Sequence, residues 1–312
     1  MLSRRNVRIK VMQLLYSLKI DKQLDKKSLI DLYDKGIYKS YHLFLFTLFI
    51  LIQVCKVALE EKERRKSKLL PKDEDRNFLP KLYENVLIGS LEKLKTLNEV
   101  ADKYEFRELV DLDLVREIYR KYSRTEAYKN YLSRESDLKN HREILLDLFR
   151  FLRKDDVFNE LLENNFSNLE DDKSLIVGAV KKVIKELPTE EMGFLKSYFP
   201  DEDTWIDFGK KLLLNSLEND EEIAGLIGPT LQNWDADRLA AVDTILIKMA
   251  LVEMLHFPSI PAKVTINEYL EISKNYSTVK SKEFINGILD ALYKELLDSG
   301  KIVKEGRGLK DE

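Results

Sequence analysis

The scarcity of helix-breaking residues limits the folds that this chain can adopt. Only 11 glycines and 7 prolines occur among 312 residues, while apolar side chains recur three and four positions apart over long stretches. That spacing places them on one face of a helix, and the positions between are rich in Leu, Lys and Glu, which favour helices. The sequence therefore predicts an all-α protein, long enough for one large or two ordinary domains.

The charges are nearly balanced, with 52 basic and 55 acidic side chains and a formal net charge of −3. This balance excludes a surface that coats nucleic acid on all sides. A local basic patch remains possible, because attraction to phosphates is screened within about 10 Å at ordinary salt. The lone cysteine, Cys55, excludes an internal disulfide and fits a reducing cytosol. Since Cys55 lies in an apolar run, we expect a buried, unreactive thiol.

The run from Leu43 to Ile52 is the only candidate membrane segment in the sequence. Its ten strongly apolar residues fall short of the roughly 20 that a helix needs to cross a bilayer. Basic residues flank both ends, so no orientation signal emerges. No signal peptide is expected either, since the basic start is not followed by a small-residue cleavage site. We predict a buried helix and no membrane association.

The first segment, residues 4–19, forms an amphipathic helix by its apolar spacing. Its first two turns carry four cations, Arg4, Arg5, Arg8 and Lys10, and no acidic residue precedes Asp21. A helix N-terminus already carries partial positive charge, so each cation there costs about a few tenths of a kcal/mol. An anionic partner would remove that cost. The alternative interpretation is an ordinary basic terminus.

Two stretches of the middle region are also basic. Residues 62–68 form a run of Lys and Arg, which is typical of a solvated helix end. Residues 121–134 interleave Tyr122, Tyr128 and Tyr131 with lysines and arginines. Interleaved aromatic and basic side chains can hold single-stranded nucleic acid. A surface helix with half-buried tyrosines is the interpretation that we favour.

The last third begins with a predicted helix from Ala236 to about His256, which Asp235 is placed to cap. Pro258 and Pro261 must end it, because proline cannot sit in a helix interior. A second helix is expected from Val264 to about Asn275.

A third helix of this region is expected from Ser281, as its cap, to about Leu297. The polar tail 301–312 contains two glycines and is predicted to be disordered.

Sequence patterns typical of enzymes are missing. The chain contains no phosphate loop, dinucleotide fingerprint or nucleophile elbow. Its three histidines are scattered, so no zinc-ligand spacing is visible. Adjacent carboxylates such as Asp155 and Asp156 point apart on a helix and are better read as caps than as acid/base pairs. We therefore predict a protein that is not an enzyme and uses no metal or cofactor.

The two ends of the chain carry ordered motifs. The first reads Arg4-Arg5-x-x-Arg8, followed by Gln13-x-Leu15-Tyr16-Ser17. The second comprises Arg238-Leu239, Asp243-x-Ile245-Leu246-x-Lys248-x-Ala250 and Glu253. The third reads Ile260-Pro261-x-Lys263-Val264-x-Ile266-Asn267-Glu268-x-x-Glu271-x-x-Lys274, and the fourth reads Ser281-x-x-Phe284-Ile285-Asn286-Gly287-Ile288-Leu289-Asp290. Together they resemble the NusB family over residues 1–20 and 232–297, with Lys248 where arginine is common.

This resemblance implies a NusB-like helical bundle with a large helical insertion after the first helix. The first helix would occupy residues 1–21, the insertion 22–200 and the remaining core 201–300. The resemblance also implies a cytoplasmic transcription antitermination factor. Its partners would be a boxA-type single-stranded leader RNA, a small ribosomal protein that acts as NusE, and the RNA polymerase complex that transcribes ribosomal RNA operons.

Eight residues are predicted to bind RNA. Arg4, Arg5, Arg8 and Lys10 would contact phosphates, since cations hold the backbone of single-stranded RNA. Tyr16 would stack on a base, and the resemblance places Lys280, Ser281 and Phe284 near the RNA. Core positions for the rings of Tyr16 and Phe284, and a helix cap for Ser281, stay open. For Asn267, Glu268 and Asn286 we favour structural hydrogen bonds between helices.

Two other functions are compatible with such a fold. One is a protein-interaction scaffold that has lost RNA binding, although the arginines of the first helix speak against it. The other is the N-terminal domain of a ribosomal RNA cytosine methyltransferase. That enzyme needs a downstream methyl-donor domain with catalytic cysteines, and this chain has a single cysteine.

Overall fold

The computed structural model describes residues 1–191, 193–232 and 240–311, and within these ranges it contains helices and no strands. The all-α prediction is confirmed. The chain forms two compact units. The terminal unit comprises Leu2–Ile37 and Pro200–Glu312, and the middle unit comprises Tyr38–Phe199 together with Met1. Residues 22–37, which we assigned to the insertion, thus group with the terminal unit.

The first two helices are α1 (Arg4–Ile20) and α2 (Lys26–Lys66). A capping box begins α1: the Ser3 side chain accepts from the Asn6 amide, and the Asn6 side chain accepts from the Ser3 amide. These bonds satisfy two of the amides that a helix start leaves unpaired.

Helix α2 contains the apolar run Leu43–Ile52, and every residue of that run is buried. By length and hydropathy α2 is the one helix in the described ranges that could cross a membrane, yet 78% of its apolar window is buried inside the protein. Residues on all faces of this segment are apolar, as expected of a helix surrounded by its neighbours. The prediction of a buried helix is confirmed.

Nine helices of the middle unit follow α2. They are α3 (Asp73–Arg76), α4 (Val86–Glu92), α5 (Lys95–Lys103), α6 (Phe106–Leu109), α7 (Leu112–Tyr122), α8 (Glu126–Ser133), α9 (Leu138–Leu152), α10 (Asp156–Glu163) and α11 (Leu169–Glu186), and a 3-10 turn, Phe194–Tyr198, ends the unit. Asp155 caps α10 through the Phe158 amide at 3.1 Å, which agrees with the predicted role of that carboxylate pair. Cys55 is buried, and burial raises the pKa of its thiol, so the thiol is unreactive as predicted.

Within its described residues, the terminal unit contains α1, the start of α2 and five α-helices near the end of the chain. These are α12 (Lys211–Glu218), α13 (Asp220–Gln232), α14 (Ala241–His256), α15 (Ala262–Tyr276) and α16 (Ser281–Asp298), preceded by a π-helical turn, Asp203–Lys210. Helix α14 lies at the centre and packs against α1, α12, α13, α15 and α16. Its side chains are buried on nearly all sides because apolar residues occupy all of its faces.

The predicted ends of α14, α15 and α16 lie within two residues of the observed ones, except at the start of α14: we predicted Ala236, whereas Ala240 is extended and α14 begins at Ala241. Asp235, predicted as a cap, and Arg238 and Leu239 of the second motif lie outside the described residues. Pro258 and Pro261 separate α14 from α15 as expected. Ser281 begins α16, but its hydroxyl donates to Asp243 of α14 at 2.7 Å and does not cap the helix.

Gly209 marks a close approach within the terminal unit. A Cβ at this position would overlap the Tyr33 hydroxyl and a Val7 methyl. The Tyr33 hydroxyl also donates to the Trp205 carbonyl at 2.8 Å. The π-helical turn is therefore held tightly against α1 and the first turns of α2.

The tail that we predicted to be disordered makes contacts with the end of α14. The Lys304 ammonium donates to the carbonyls of Met254 at 2.9 Å and Phe257 at 3.2 Å. The Glu305 amide donates to the Pro258 carbonyl at 3.0 Å. The last carbonyls of a helix lack hydrogen-bond donors within the helix, and basic side chains commonly donate to them.

Candidate nucleic-acid interface

An open groove of about 430 Å³ lies between the start of α1 and the start of α15. It is lined by Ser3, Arg4, Arg5, Arg8, Ile260, Val264 and Glu268. Three residues that were predicted to bind phosphates, Arg4, Arg5 and Arg8, thus lie beside residues of the third motif. The side chain of Val264 is largely exposed, so the groove combines arginines with an apolar wall.

Arg4 lies at the rim of this groove. Its guanidinium donates to an Asp203 carboxylate oxygen at 2.8 Å, and its side chain is 39% exposed against 69% for Asp203. The guanidinium carbon lies 5.2 Å from the centre of the Phe208 ring, in cation–π range. Arg4 is therefore oriented by the π-helical turn and remains accessible to solvent.

Arg5 forms a two-point ion pair with Glu268 of α15. Its Nε donates to Oε2 at 2.8 Å and its Nη2 donates to Oε1 at 2.6 Å. The hydrogen bond from Arg5 lowers the pKa of Glu268, although partial burial of the carboxylate opposes it. With 48% of its side chain exposed, Arg5 can still be reached by a ligand.

Arg8 is buried, unlike its two neighbours. Its side chain is 3% exposed, and its Nε and Nη2 donate to the two oxygens of the fully buried Glu253 at 2.7 and 2.6 Å. Its guanidinium also lies 4.8 Å from the Phe208 ring centre. Burial opposes the charged form, but the bonds to Glu253 prevail and raise the Arg8 pKa above its usual value.

Glu253 is the centre of this buried cluster. Besides Arg8, it accepts from the hydroxyls of Thr265 at 2.8 Å and Tyr269 at 3.1 Å, both on α15. Two oxygens therefore accept four hydrogen bonds, which offsets the cost of burying the charge. The cluster fixes α1, α14 and α15 to one another. In this conformation Arg8 supports the groove and does not present its guanidinium to a phosphate, contrary to our prediction.

Lys10 is buried as well. Its stem passes Gly36, with Cδ 3.9 Å from the position of a Cβ there. A long aliphatic stem commonly packs on apolar surface in this way. The predicted phosphate contact of Lys10 is therefore not accessible in this structure either.

The other predicted residues lie on different parts of the terminal unit. Tyr16 is 39% exposed, and it follows Arg4 by twelve residues, about 18 Å along the helix axis. Lys280 is exposed and Phe284 is half-buried. Ser281 is buried, where it bonds Asp243, Ser277 and Thr278. Ser281 thus fixes the connection between α15 and α16.

One carboxylate of α15, that of Glu271, interacts electrostatically with cations at the start of α1 and at the start of α16. A hydrogen bond from Lys274 lowers the pKa of Glu271, and the charges of Arg5 and Lys282 lower it further. Arg5 and Lys282 therefore act on the same carboxylate.

The three polar motif residues, Asn267, Glu268 and Asn286, differ in their hydrogen bonding and exposure. Glu268 bonds between helices, as predicted. Asn286 donates to Asp290 of its own helix at 3.0 Å, so our prediction of a bond between helices is wrong for Asn286. Asn267 is exposed.

Sequence reasoning missed the roles of Glu253 and Asp243. The available signal was their position on a helix that is otherwise almost wholly apolar, because a buried carboxylate requires partners. Within the described ranges, no group of three or more His, Cys, Asp or Glu side chains is placed to hold a metal ion.

Comparison with known proteins gives the family. The sequence model of the NusB family matches residues 194–294. The transcription antitermination protein NusB of Clostridium kluyveri is 36% identical over 129 residues, which cover 41% of this chain and 79% of that protein. The chain belongs to the NusB family. Its all-α, NusB-like fold is thereby confirmed, and it also has many helices ahead of the matched residues.

Two further NusB proteins match over shorter spans. That of Chloroherpeton thalassium is 44% identical over 105 residues, 34% of this chain and 50% of that protein. That of Salinibacter ruber is 42% identical over 103 residues, 33% of this chain and 64% of that protein. The chain thus spans from half to about two thirds of the length of these two relatives. No solved structure matches it significantly. The family model covers α12 to α15 and most of α16, whereas α1 precedes it.

Proposed function

We propose that this chain is a cytoplasmic transcription antitermination factor that binds RNA. Its ligand is a boxA-type single-stranded leader RNA, bound together with the small ribosomal protein that acts as NusE. The complex joins RNA polymerase on ribosomal RNA operons. Three relatives carry the name transcription antitermination protein, which supports this role.

The groove at the start of α1 is the observation that carries the proposal. Single-stranded RNA is held by cations along its backbone and by contacts to splayed bases. Arg4 and Arg5 supply two accessible guanidiniums, which suit phosphate oxygens because of their planar, forked donors. Ile260 and Val264 supply an apolar wall beside them. Cations and apolar surface thus lie within one groove.

The predicted residues take distinct roles in this proposal. Arg4 and Arg5 contact phosphates, while Arg8 and Lys10 act from the interior by holding α1 in place. Tyr16, Lys280 and Phe284 remain candidates for other contacts along the RNA, and Ser281 acts by positioning α16.

An RNA shift assay with a boxA-type oligonucleotide, with and without the ribosomal protein, tests the proposal. Replacing Arg4 and Arg5 together by Ala removes two phosphate contacts, so the slope of log affinity against log salt should fall in magnitude by about 1.4. The matched control replaces Arg64 and Arg150, two exposed arginines of the middle unit that pair with acids on their own helices. The control should keep the slope of the unmodified protein.

An unchanged slope in the Arg4, Arg5 variant would remove both residues from the interface. If the unmodified protein binds the ribosomal protein but binds no RNA in either condition, the protein-interaction scaffold replaces RNA binding as its function.

A further inference from the structure

We infer that Asp203 and Glu268 hold Arg4 and Arg5 in the free protein as substitutes for RNA phosphates, so that the interface contains its own anionic competitor. This inference rests on the proposed function, since it concerns the regulation of the same groove. A carboxylate and a phosphate offer a guanidinium the same arrangement of two acceptor oxygens. RNA phosphates therefore compete with the two carboxylates for the same guanidinium donors.

The geometry of the Arg5 pair matches that of a phosphate contact. Both donating atoms of the fork, Nε and Nη2, are already occupied by the oxygens of Glu268 at 2.8 and 2.6 Å. Asp203 occupies one Nη of Arg4 in the same way at 2.8 Å. Neither acid is near its arginine in sequence, since 199 and 263 positions separate the partners. The fold, and not the helix repeat, brings each acid to the groove.

The charges of the terminal unit extend this pattern. Residues 1–37 contain nine basic and four acidic side chains, whereas residues 201–222 contain eight acidic and two basic ones. A further pair, Lys26 with Glu218, joins the two segments. The acidic segment thus neutralises the basic segment within one compact unit.

Exposure separates pairs that can open from the pair that cannot. Arg8 and Glu253 are 3% and 0% exposed, so no ligand reaches their pair in this conformation. The Arg4–Asp203 pair is exposed on both sides, and exposed pairs of this kind hold by no more than about a fivefold preference. In the Arg5 pair the arginine is 48% exposed, whereas Glu268 is 21% exposed and also contacts Arg8 at 3.4 Å. A ligand with two linked phosphates can replace both carboxylates, one at Arg4 and one at Arg5. An isolated anion can replace only one carboxylate at a time. The acids therefore favour an extended strand over single phosphates.

The test measures binding of a single-stranded boxA-type RNA oligonucleotide to Asp203→Asn and Glu268→Gln. Each amide keeps the size of the acid and removes its charge, so we expect affinity to rise about two- to fivefold per substitution. The matched control is Asp207→Asn, which lies on the same π-helical turn as Asp203 and pairs with Lys211. This control should gain less than half of the effect of Asp203→Asn.

Equal gains in the test and control variants would overturn the inference, because general charge would then explain them. Unchanged or weaker RNA binding by Asp203→Asn would also overturn the inference. Because Asp203 is exposed, a folding defect could not explain that result. If the unmodified protein does not bind RNA but a variant that carries both Asp203→Asn and Glu268→Gln does, the inference is supported. If neither the unmodified protein nor the variants bind RNA, both the inference and the proposed function fail. If all of them bind RNA with the same affinity, only the inference fails.

Discussion

Helix α1, from Arg4 to Tyr16, and the segment from Lys121 to Arg134 both combine several cations with tyrosine, yet their structures differ. In the middle unit, Tyr122, Tyr128 and Tyr131 are all buried. At the start of α1, the exposed Arg4 and Arg5 and the buried Arg8 line an open groove. Aromatic and basic residues in alternation therefore do not by themselves indicate a binding surface.

The partners of the cations account for this difference. In the segment 121–134, Lys129 pairs with Glu126, three positions away on the same helix, and Arg134 pairs with Glu143, nine positions away. Lys121 pairs with Glu117 of its own helix and with Asp155 before α10. Exposed pairs between residues close in sequence contribute little to stability. The arginines of α1 pair with acids 199 to 263 positions away. Long-range pairs of this kind build a surface from separate elements.

The largest expected effect concerns the buried member of these long-range pairs. Replacing Glu253 by Gln leaves the buried Arg8 charge with only the longer contact to Glu268 at 3.4 Å, so the free energy of unfolding should fall by about 3–5 kcal/mol. Chemical denaturation monitored by circular dichroism measures this change. The control, Glu61→Gln, removes an acid that serves only local pairs, and it should cost about 1 kcal/mol or less.

A loss below about 1 kcal/mol for Glu253→Gln would mean that Arg8 finds water or another acid. The distinction between long-range and local pairs would then lose its energetic basis.

A smaller effect is expected from the tyrosines of the middle unit. The Tyr131 hydroxyl bonds the His141 Nδ1 at 2.7 Å and the Lys81 carbonyl at 3.2 Å, both in the interior. Tyr131→Phe should therefore cost about 1–2 kcal/mol in the free energy of unfolding, because buried polar groups lose their partner. RNA affinity should stay the same, as the shift assay can verify. If a stably folded Tyr131→Phe protein binds RNA more weakly, residues 121–134 contribute to RNA binding and this prediction is wrong.

Local features of the sequence predicted much of the fold. Helix periodicity, the scarcity of breakers and the prolines at 258 and 261 gave the helical class and the break between α14 and α15. The burial of Leu43–Ile52 followed from its apolar residues on every face. These predictions succeeded because each depends on neighbouring residues alone.

The accessibility of individual cations could not be predicted in the same way. Arg5 and Arg8 lie three positions apart in one basic turn, yet Arg5 is exposed and Arg8 is buried. What separates them is the placement of Glu253 and Glu268, which only the tertiary fold brings to α1. The two acids on the largely apolar helix α14, Asp243 and Glu253, were the sequence signal that pointed to buried partners.

Crosslinking of bound boxA-type RNA, followed by mapping of the attached peptides, tests most directly whether the groove of α1 and α15 holds the strand. We expect crosslinks in peptides that contain Arg4 and Arg5 and the Ile260–Glu268 motif, and none in residues 121–134. Crosslinks confined to the middle unit, with the first helix unmodified, would contradict the account.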